Sequence, residues 1–282
     1  MNALEVVGLT KRYPSFTLDG ATFAVKQGSI MGFIGKNGAG KTTAIKSLLN
    51  LVHPERGTIR FFGLDFPANE REVKQRIGYA AGGVDYYPKK KIGTILSYTK
   101  LFFANWDDDA CTHYLRLFEL DTNKRLAELS CGMRVKFNLL LALSHHAELL
   151  VLDEPTSGLD PVSRDDLLNV FLDLRDAGKS ILFSTHITSD LDKCADEITY
   201  IRKGKIVETG DLDAFVENYR IVSVPGGRLT DDLRASFIGS DRTKSHVTGL
   251  IHARDVGKFQ GFELKEADLE SVMIHRERGE HA

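Results

Sequence analysis

Apolar and polar residues alternate loosely over Ala3–Leu9 and again over Ser15–Val25, with Tyr13-Pro14 marking a turn between them. The pattern predicts two half-buried strands at the start of the chain. From Gly28 to Ile34 the alternation gives way to a continuous apolar run, the mark of a strand covered on both faces. That run ends in a glycine-rich loop, and Thr42–Val52 then carries a helical pattern. Strand, glycine loop and helix in this order open a doubly wound α/β domain. Residues 68–146 have few strand signals. Arg71–Arg76, Ile92–Asn105 and Asp108–Phe118 predict helices, and a helical subdomain inserted at about 85–146 follows. Apolar runs return at Glu148–Leu152 and Ser180–Ser184, separated by a helical stretch at Pro161–Ala177, and Ile198–Ile201 with Lys205–Glu208 predict a hairpin around Gly204.

After Glu217 the pattern changes again. Val222–Val224, Val247–Ile251 and Phe259–Leu264 predict strands and Glu266–Glu277 a helix, which makes residues 218–282 a small α+β domain behind a core domain of residues 1–217. The mixture of apolar and polar residues there predicts a folded module.

Composition narrows the function classes. With 42% hydrophobic and 27% charged residues among 282, the chain has the balance of an ordinary globular protein. A net charge of -2 leaves no basic excess of the kind nucleic-acid partners select. The three cysteines, Cys111, Cys131 and Cys194, form no CxxC pair, so neither a zinc site nor a disulfide framework is indicated. The opening MNALEVVGLTKRYP lacks a signal-peptide pattern, and no apolar run approaches the roughly 18–20 residues that cross a bilayer. A role at a membrane, on the cytoplasmic face, would therefore go through a partner chain.

The loop Gly35-Lys-Asn37-Gly38-Ala39-Gly40-Lys41-Thr42 fits GxxxxGK[ST]. A triphosphate needs many donors close by. Glycines let the backbone curl until successive N–H groups point inward, and the following helix aims its positive end at the anion. Lys41 would reach the β- and γ-phosphates, Thr42 would place its hydroxyl on Mg²⁺, and Thr43 would donate to the α-phosphate. Taken alone, the motif predicts nucleoside triphosphate binding and no particular reaction.

Leu149–Leu152 is a second buried strand, ending in Asp153 and Glu154. Asp153 is placed to hold Mg²⁺ through water, and Glu154 to act as general base for the attacking water. Pro155-Thr-Ser157-Gly158-Leu159-Asp160 follows, and Ser184-Thr185-His186 comes after one more strand.

Together with Tyr13 and Leu129-Ser130-Cys131-Gly132-Met133, these segments resemble the nucleotide-binding subunits of the ATP-binding-cassette (ABC) family over roughly residues 1–215. The resemblance implies an ABC-type P-loop core with an antiparallel β subdomain and a helical subdomain. It also implies ATP and Mg²⁺ as ligands, and a pair of cassettes (a homodimer, or a heterodimer with another cassette) sandwiching ATP. Tyr13 would stack on adenine, and His186 would contact the γ-phosphate and help orient the water. Ser130 and the Gly132 N–H would cap the γ-phosphate held by the other subunit, and Asp160 would stand in the segment that completes the site.

Two departures stand out. The family's usual glutamine after the Ile77-Gly-Tyr79 strand falls on Gly82 here, with Asp85 a few residues on, and Cys131 and Met133 replace the usual glycine and glutamine of the signature. Ser130 and Gly132 remain, so the cap is expected to work. Finer features, including the signature and the stretch ALSHHAELLVLDEPTSGLDP, look similar to the ATPases of small bacterial exporters. Those exporters move drugs, bacteriocins or amphipathic peptides of the phenol-soluble-modulin type. That implies a membrane-spanning permease partner, docking near Gly82–Lys91 with Tyr86 and Tyr87, and no nucleic acid. The alternative is a soluble ABC ATPase. Against its DNA-repair form, only about ninety residues separate the phosphate loop from the signature, without sustained heptads. Residues 218–282 carry no motif of the cassette, and a dimerisation or regulatory role is expected of them.

Overall fold

The computed structural model describes residues 1–81, 87–242 and 245–278; Gly82, Asp85 and Tyr86 lie outside the described residues. The chain divides into two compact units, Met1–Thr209 and Gly210–Ala282.

The first unit opens with two long strands, β1 (Asn2–Tyr13) and β2 (Phe16–Lys26), which pair antiparallel across the expected turn. Next come β3 (Ile30–Ile34), α1 (Lys41–Leu48), β4 (Arg56–Phe61) and β5 (Leu64–Asp65). One sheet has the order β2-β1-β4-β5 and is antiparallel throughout. After α2 (Glu70–Arg76) and β6 (Ile77–Ala81) the chain enters its helical region, with α3 (Ile92–Thr99), α4 (Asp108–Leu117) and α5 (Cys131–Ser144). It then returns through β7 (Leu149–Asp153), α6 (Pro161–Asp176), β8 (Ser180–Thr185), α7 (Thr188–Cys194), β9 (Glu197–Arg202) and β10 (Lys205–Asp211).

The second sheet has the order β10-β9-β3-β8-β7-β6, and β9, β3, β8, β7 and β6 run parallel. Every residue of β3, β7 and β8 is buried, as expected of central strands of a parallel sheet covered on both faces. Burying each of the four aliphatic side chains of β7, Leu149 to Leu152, contributes about 1.5–3 kcal/mol. That anchorage is what holds Asp153 at the end of the strand. The core of this unit joins both sheets and α1: Phe23 stacks on Phe33 with centroids 5.2 Å apart, and Ile45 and Val151 lie in the same cluster.

The helix expected over Ile92–Asn105 is shorter. It stops at Thr99, passes through a 3-10 turn at Lys100–Phe102 and leaves Phe103 extended. Gln75 is the physical reason. Its side-chain amide donates to the Phe102 carbonyl at 2.9 Å and accepts from the Ala104 N–H at 2.9 Å, taking backbone groups a helix would use. Among the described residues no helix is long and apolar enough to cross a membrane.

The second unit contains α8 (Leu212–Glu217), β11 (Tyr219–Pro225), α9 (Asp231–Ala235), β12 (Gly239–Arg242), β13 (His246–His252), β14 (Glu263–Glu266) and α10 (Leu269–Arg278). Helix α8 belongs with this unit, since Phe215 meets Tyr219 with ring centroids 5.7 Å apart. The antiparallel sheet has the order β12-β13-β11-β14, a split β-α-β arrangement. Its core gathers Val222, Val224, Ile251 and Phe259. The strand expected at Phe259–Leu264 is instead a 3-10 turn ending at Phe259, followed by β14. Gly261, at φ 82, is in the left-handed region and breaks the extended run.

Candidate active site

The phosphate loop lies between β3 and α1. Gly40 caps α1 with φ 114, a conformation L side chains rarely adopt, and a Cβ there would stand 2.7 Å from Phe16 Cζ. The backbone therefore requires glycine, and the Phe16 ring would have to give way to any side chain placed there. Lys41 is the first residue of α1, and only 4% of it is exposed. Its ammonium donates to the Gly35 carbonyl at 2.6 Å and the Lys36 carbonyl at 3.3 Å. The curled loop faces a cavity of about 650 Å³ lined by Tyr13, Pro14, Ser15, Phe16, Lys36, Asn37, Gly38, Gly40, Lys41, Thr42, Thr43 and Glu154.

The second edge of the cavity comes from the parallel register of β7 and β8, which sets Asp153 beside Ser184. The buried Asp153 carboxylate accepts at one oxygen from Ser184 Oγ (2.6 Å) and from Thr42 Oγ1 (3.3 Å), a residue 111 positions away in the chain. Two hard oxygen ligands from separate elements thus converge, a donor set that suits Mg²⁺. Glu154, at φ 51, turns the chain sharply; its N–H donates to Ser184 Oγ at 2.9 Å. One carboxylate oxygen, Oε2, meets His186 Nδ1 at 2.8 Å. The other, Oε1, is 3.0 Å from Lys41 Nζ but lacks hydrogen-bond geometry to any donor among the described residues. A buried acceptor and a buried ammonium therefore sit side by side at the mouth of an amide-rich loop. These groups fit a polyanion with a water beside it.

Of the residues singled out from the sequence, Tyr13, Asn37, Gly38, Gly40, Lys41, Thr42, Thr43 and Glu154 line the cavity. Gly35 and the buried Ala39 build the loop behind it, and Asp153 and His186 join through Thr42 and Glu154. The lining includes neither Ser130, Gly132 nor Asp160. Ser130 caps α5, accepting from the Met133 N–H at 3.3 Å, and a Cβ on Gly132 would lie 3.3 Å from Leu159. The Asp160 carboxylate caps α6, accepting from Val162 N–H, Ser163 N–H and Ser163 Oγ; the Ser163 contacts hold its carboxyl below the ordinary aspartate range. Sequence reasoning missed Phe16, assigned there only to a strand, and Ser184, whose hydroxyl ties the two acids together. The Ser-Thr-His run held the signal for Ser184. Nothing local marked Phe16.

The ABC transporter family matches residues 18–157. Over 214 residues the chain is 34% identical to the bacitracin transport ATP-binding protein BcrA of Bacillus licheniformis, covering 74% of this chain and 70% of that protein. It is 30% identical to the ABC transporter ATP-binding protein YhaQ of Bacillus subtilis, over 97% of this chain and 98% of that one. It is 33% identical to the Nod factor export ATP-binding protein I of Burkholderia orbicola, over 76% and 73%. Among solved structures, the ATP-binding subunit of an ABC transporter superposes with a TM-score of 0.68 at 27% identity, over 75% of this chain and 91% of that one. By this likeness and by the site it carries, the chain belongs to the ATP-binding, ATP-hydrolysing subunits of ABC transporters.

Proposed function

We propose that this chain powers a bacterial exporter by closing as a pair of cassettes around ATP, each site drawing residues from both chains. The observation that carries this reading is the division of the site. Lys41, Thr42 and Glu154 line one cavity, and Asp153 and His186 contact Thr42 and Glu154 there, whereas the Ser130 cap and the start of α5 line no part of it. The N-terminus of that 14-residue helix offers amides and a positive dipole end suited to a γ-phosphate held by a second cassette.

Within one chain the geometry supports the following roles. The loop amides and Lys41 bind the triphosphate, and Tyr13, 40% exposed at the cavity rim, is available to stack on the base. Phe16 covers Gly40 from the same side. Mg²⁺, with Thr42 and Asp153 as its candidate holders, would neutralise charge on the β- and γ-oxygens. Glu154 orients the attacking water and takes its proton, and His186 fixes the Glu154 carboxylate through its 2.8 Å contact.

Export is supported by the name of one relative, a Nod factor export protein, and transport by that of another, a bacitracin transport protein; the cargo in this reading is a drug or an amphipathic peptide. A membrane-spanning partner would bring the chain to the cytoplasmic face of the membrane. Its docking face is the helical region, where Tyr87, Tyr98, Leu101 and Phe102 are each more than 60% exposed. Residues 210–282 would serve as a dimerisation or regulatory module.

Purification of the tagged chain from its own membranes in mild detergent tests the reading. A multispanning membrane protein should co-purify, and ATP should drive pairing of the cassettes. Recovery of the chain with soluble partners alone would refute it.

A further inference from the structure

Behind the two residues proposed to activate water lies a polar layer that touches neither the cavity nor solvent. Glu154 follows the end of β7 and His186 the end of β8. Thr156 and Thr185, both fully buried, flank them. The two hydroxyls converge on a single atom, Oδ2 of Asp190 in α7, with Thr156 Oγ1 donating at 2.6 Å and Thr185 Oγ1 lying 3.4 Å away. Thr185 Oγ1 also accepts from the Ile187 N–H at 3.0 Å, so its one proton is directed toward Asp190. Asp190 is 1% exposed. Burial pushes its carboxyl above the ordinary aspartate range, while the Thr156 hydrogen bond pulls the other way. Its second oxygen faces Arg164 Nε of α6 at 3.9 Å.

A buried carboxylate costs several kcal/mol of desolvation unless its partners compensate. Here the partners that compensate are the Arg164 charge on one oxygen and, on the other, hydroxyls from the two turns that carry Glu154 and His186. On the front of the site those turns meet through Ser184 Oγ, which accepts from the Glu154 N–H and donates to Asp153, and through the Glu154–His186 contact, made by side chains that are 20% and 39% exposed. The back layer involves no exposed group that a nucleotide could displace.

We infer that Asp190 is a positioning residue for hydrolysis, whose carboxylate clamps the Thr156 and Thr185 hydroxyls and so sets the spacing between Glu154 and His186. The inference rests on the reading of Glu154 as general base. Misplacement of a reacting group by about 1 Å can lower a rate about 10²-fold. Releasing the clamp should therefore lower kcat while leaving the nucleotide contacts of residues 13–16 and 36–43 in place.

The test measures ATPase rate against ATP concentration for the full chain with its native partner. The variants are Thr156→Val, Asp190→Ala, Asp190→Asn and the Thr156→Val/Asp190→Ala double, with Glu154→Gln alongside. Thr156→Val and Asp190→Ala should each lower kcat about tenfold or more with KM changed less than about threefold. The double variant should be no worse than the stronger single, because both break one clamp. Asp190→Asn, which keeps an acceptor for Thr156, should recover most of the rate, an outcome that a charge-dependent folding role would not give. Wild-type kcat in Thr156→Val and Asp190→Ala, losses confined to KM, or losses that multiply in the double would overturn the inference. If Asp190→Ala does not fold, Thr156→Val, close in shape to the native residue, decides the matter by its kcat. Wild-type turnover in Glu154→Gln would instead remove the general-base reading itself. Loss of turnover there with normal rates in the other variants would count against Asp190 alone.

Discussion

Glu154→Gln separates binding from chemistry, and the structure predicts the two to move in opposite directions. Glu154 Oε1 stands 3.0 Å from Lys41 Nζ, with the two side chains 20% and 4% exposed. At an effective dielectric of about 20, opposite charges at that distance attract by about 5–6 kcal/mol before solvation is counted. A triphosphate must share Lys41 with this carboxylate and also bears the repulsion between like charges. If one fifth of the gross attraction opposes binding, removing the charge should tighten ATP by about 1 kcal/mol, or about fivefold. Glutamine keeps the shape and can still meet His186, but it accepts no proton, so turnover should fall by roughly 10² or more. Equilibrium titration of ATP by calorimetry and a coupled phosphate-release assay read the two effects on one preparation. Turnover near wild type would remove Glu154 as the base. Binding weakened tenfold or more would show that the Lys41–Glu154 contact organises the loop rather than competing with the ligand.

Three further outcomes follow from other parts of the molecule. Ser130→Arg places a cation and a long side chain at the α5 cap; the Glu154→Gln protein should sediment as a dimer with ATP, and adding Ser130→Arg should abolish that dimer. His145 is buried against Phe103, with ring centroids 3.8 Å apart, and desolvation lowers its pKa from 6.5 to about 4 despite the Gln75 carbonyl beside it. Between these values the unfolded chain binds a proton that the native protein refuses. Stability should therefore fall by about 2–3 kcal/mol as pH drops from 6.5 to 4, and a denaturation series should show the slope flattened in His145→Leu. A chain ending at Asp211 keeps β10 and every cavity residue, so it should still bind ATP. Loss of nucleotide-independent self-association or of ATPase control in that chain would support a role for the second unit, and behaviour identical to full length would refute one.

Local signals carried much of this protein. The apolar runs Ile30–Ile34 of β3, Leu149–Leu152 of β7 and Ile181–Phe183 of β8 are readable because a parallel strand covered on both faces has no polar side to show there. The phosphate loop is readable because only glycine tolerates the backbone at Gly40, and the expected Lys41, Thr42 and Glu154 do line one cavity. Other features depended on residues far apart in the chain. Gln75 ended α3 by capturing the backbone at Phe102 and Ala104, overriding a helical pattern that ran to Asn105. The polar strand β12 carries no apolar alternation and exists through its pairing with β13. Phe16 reached the cavity because the β1–β2 pairing laid it against Gly40. The sequence by itself thus determined the cassette and the identity of the loop and acidic groups that gather at its cavity, since backbone sterics and strand burial are written locally. Only the tertiary structure decided that Asp153 meets Thr42, that Glu154 lies between Lys41 and His186, and that Asp190 ties the two turns from behind. Those contacts are set by the order and register of parallel strands, which no local stretch of sequence specifies.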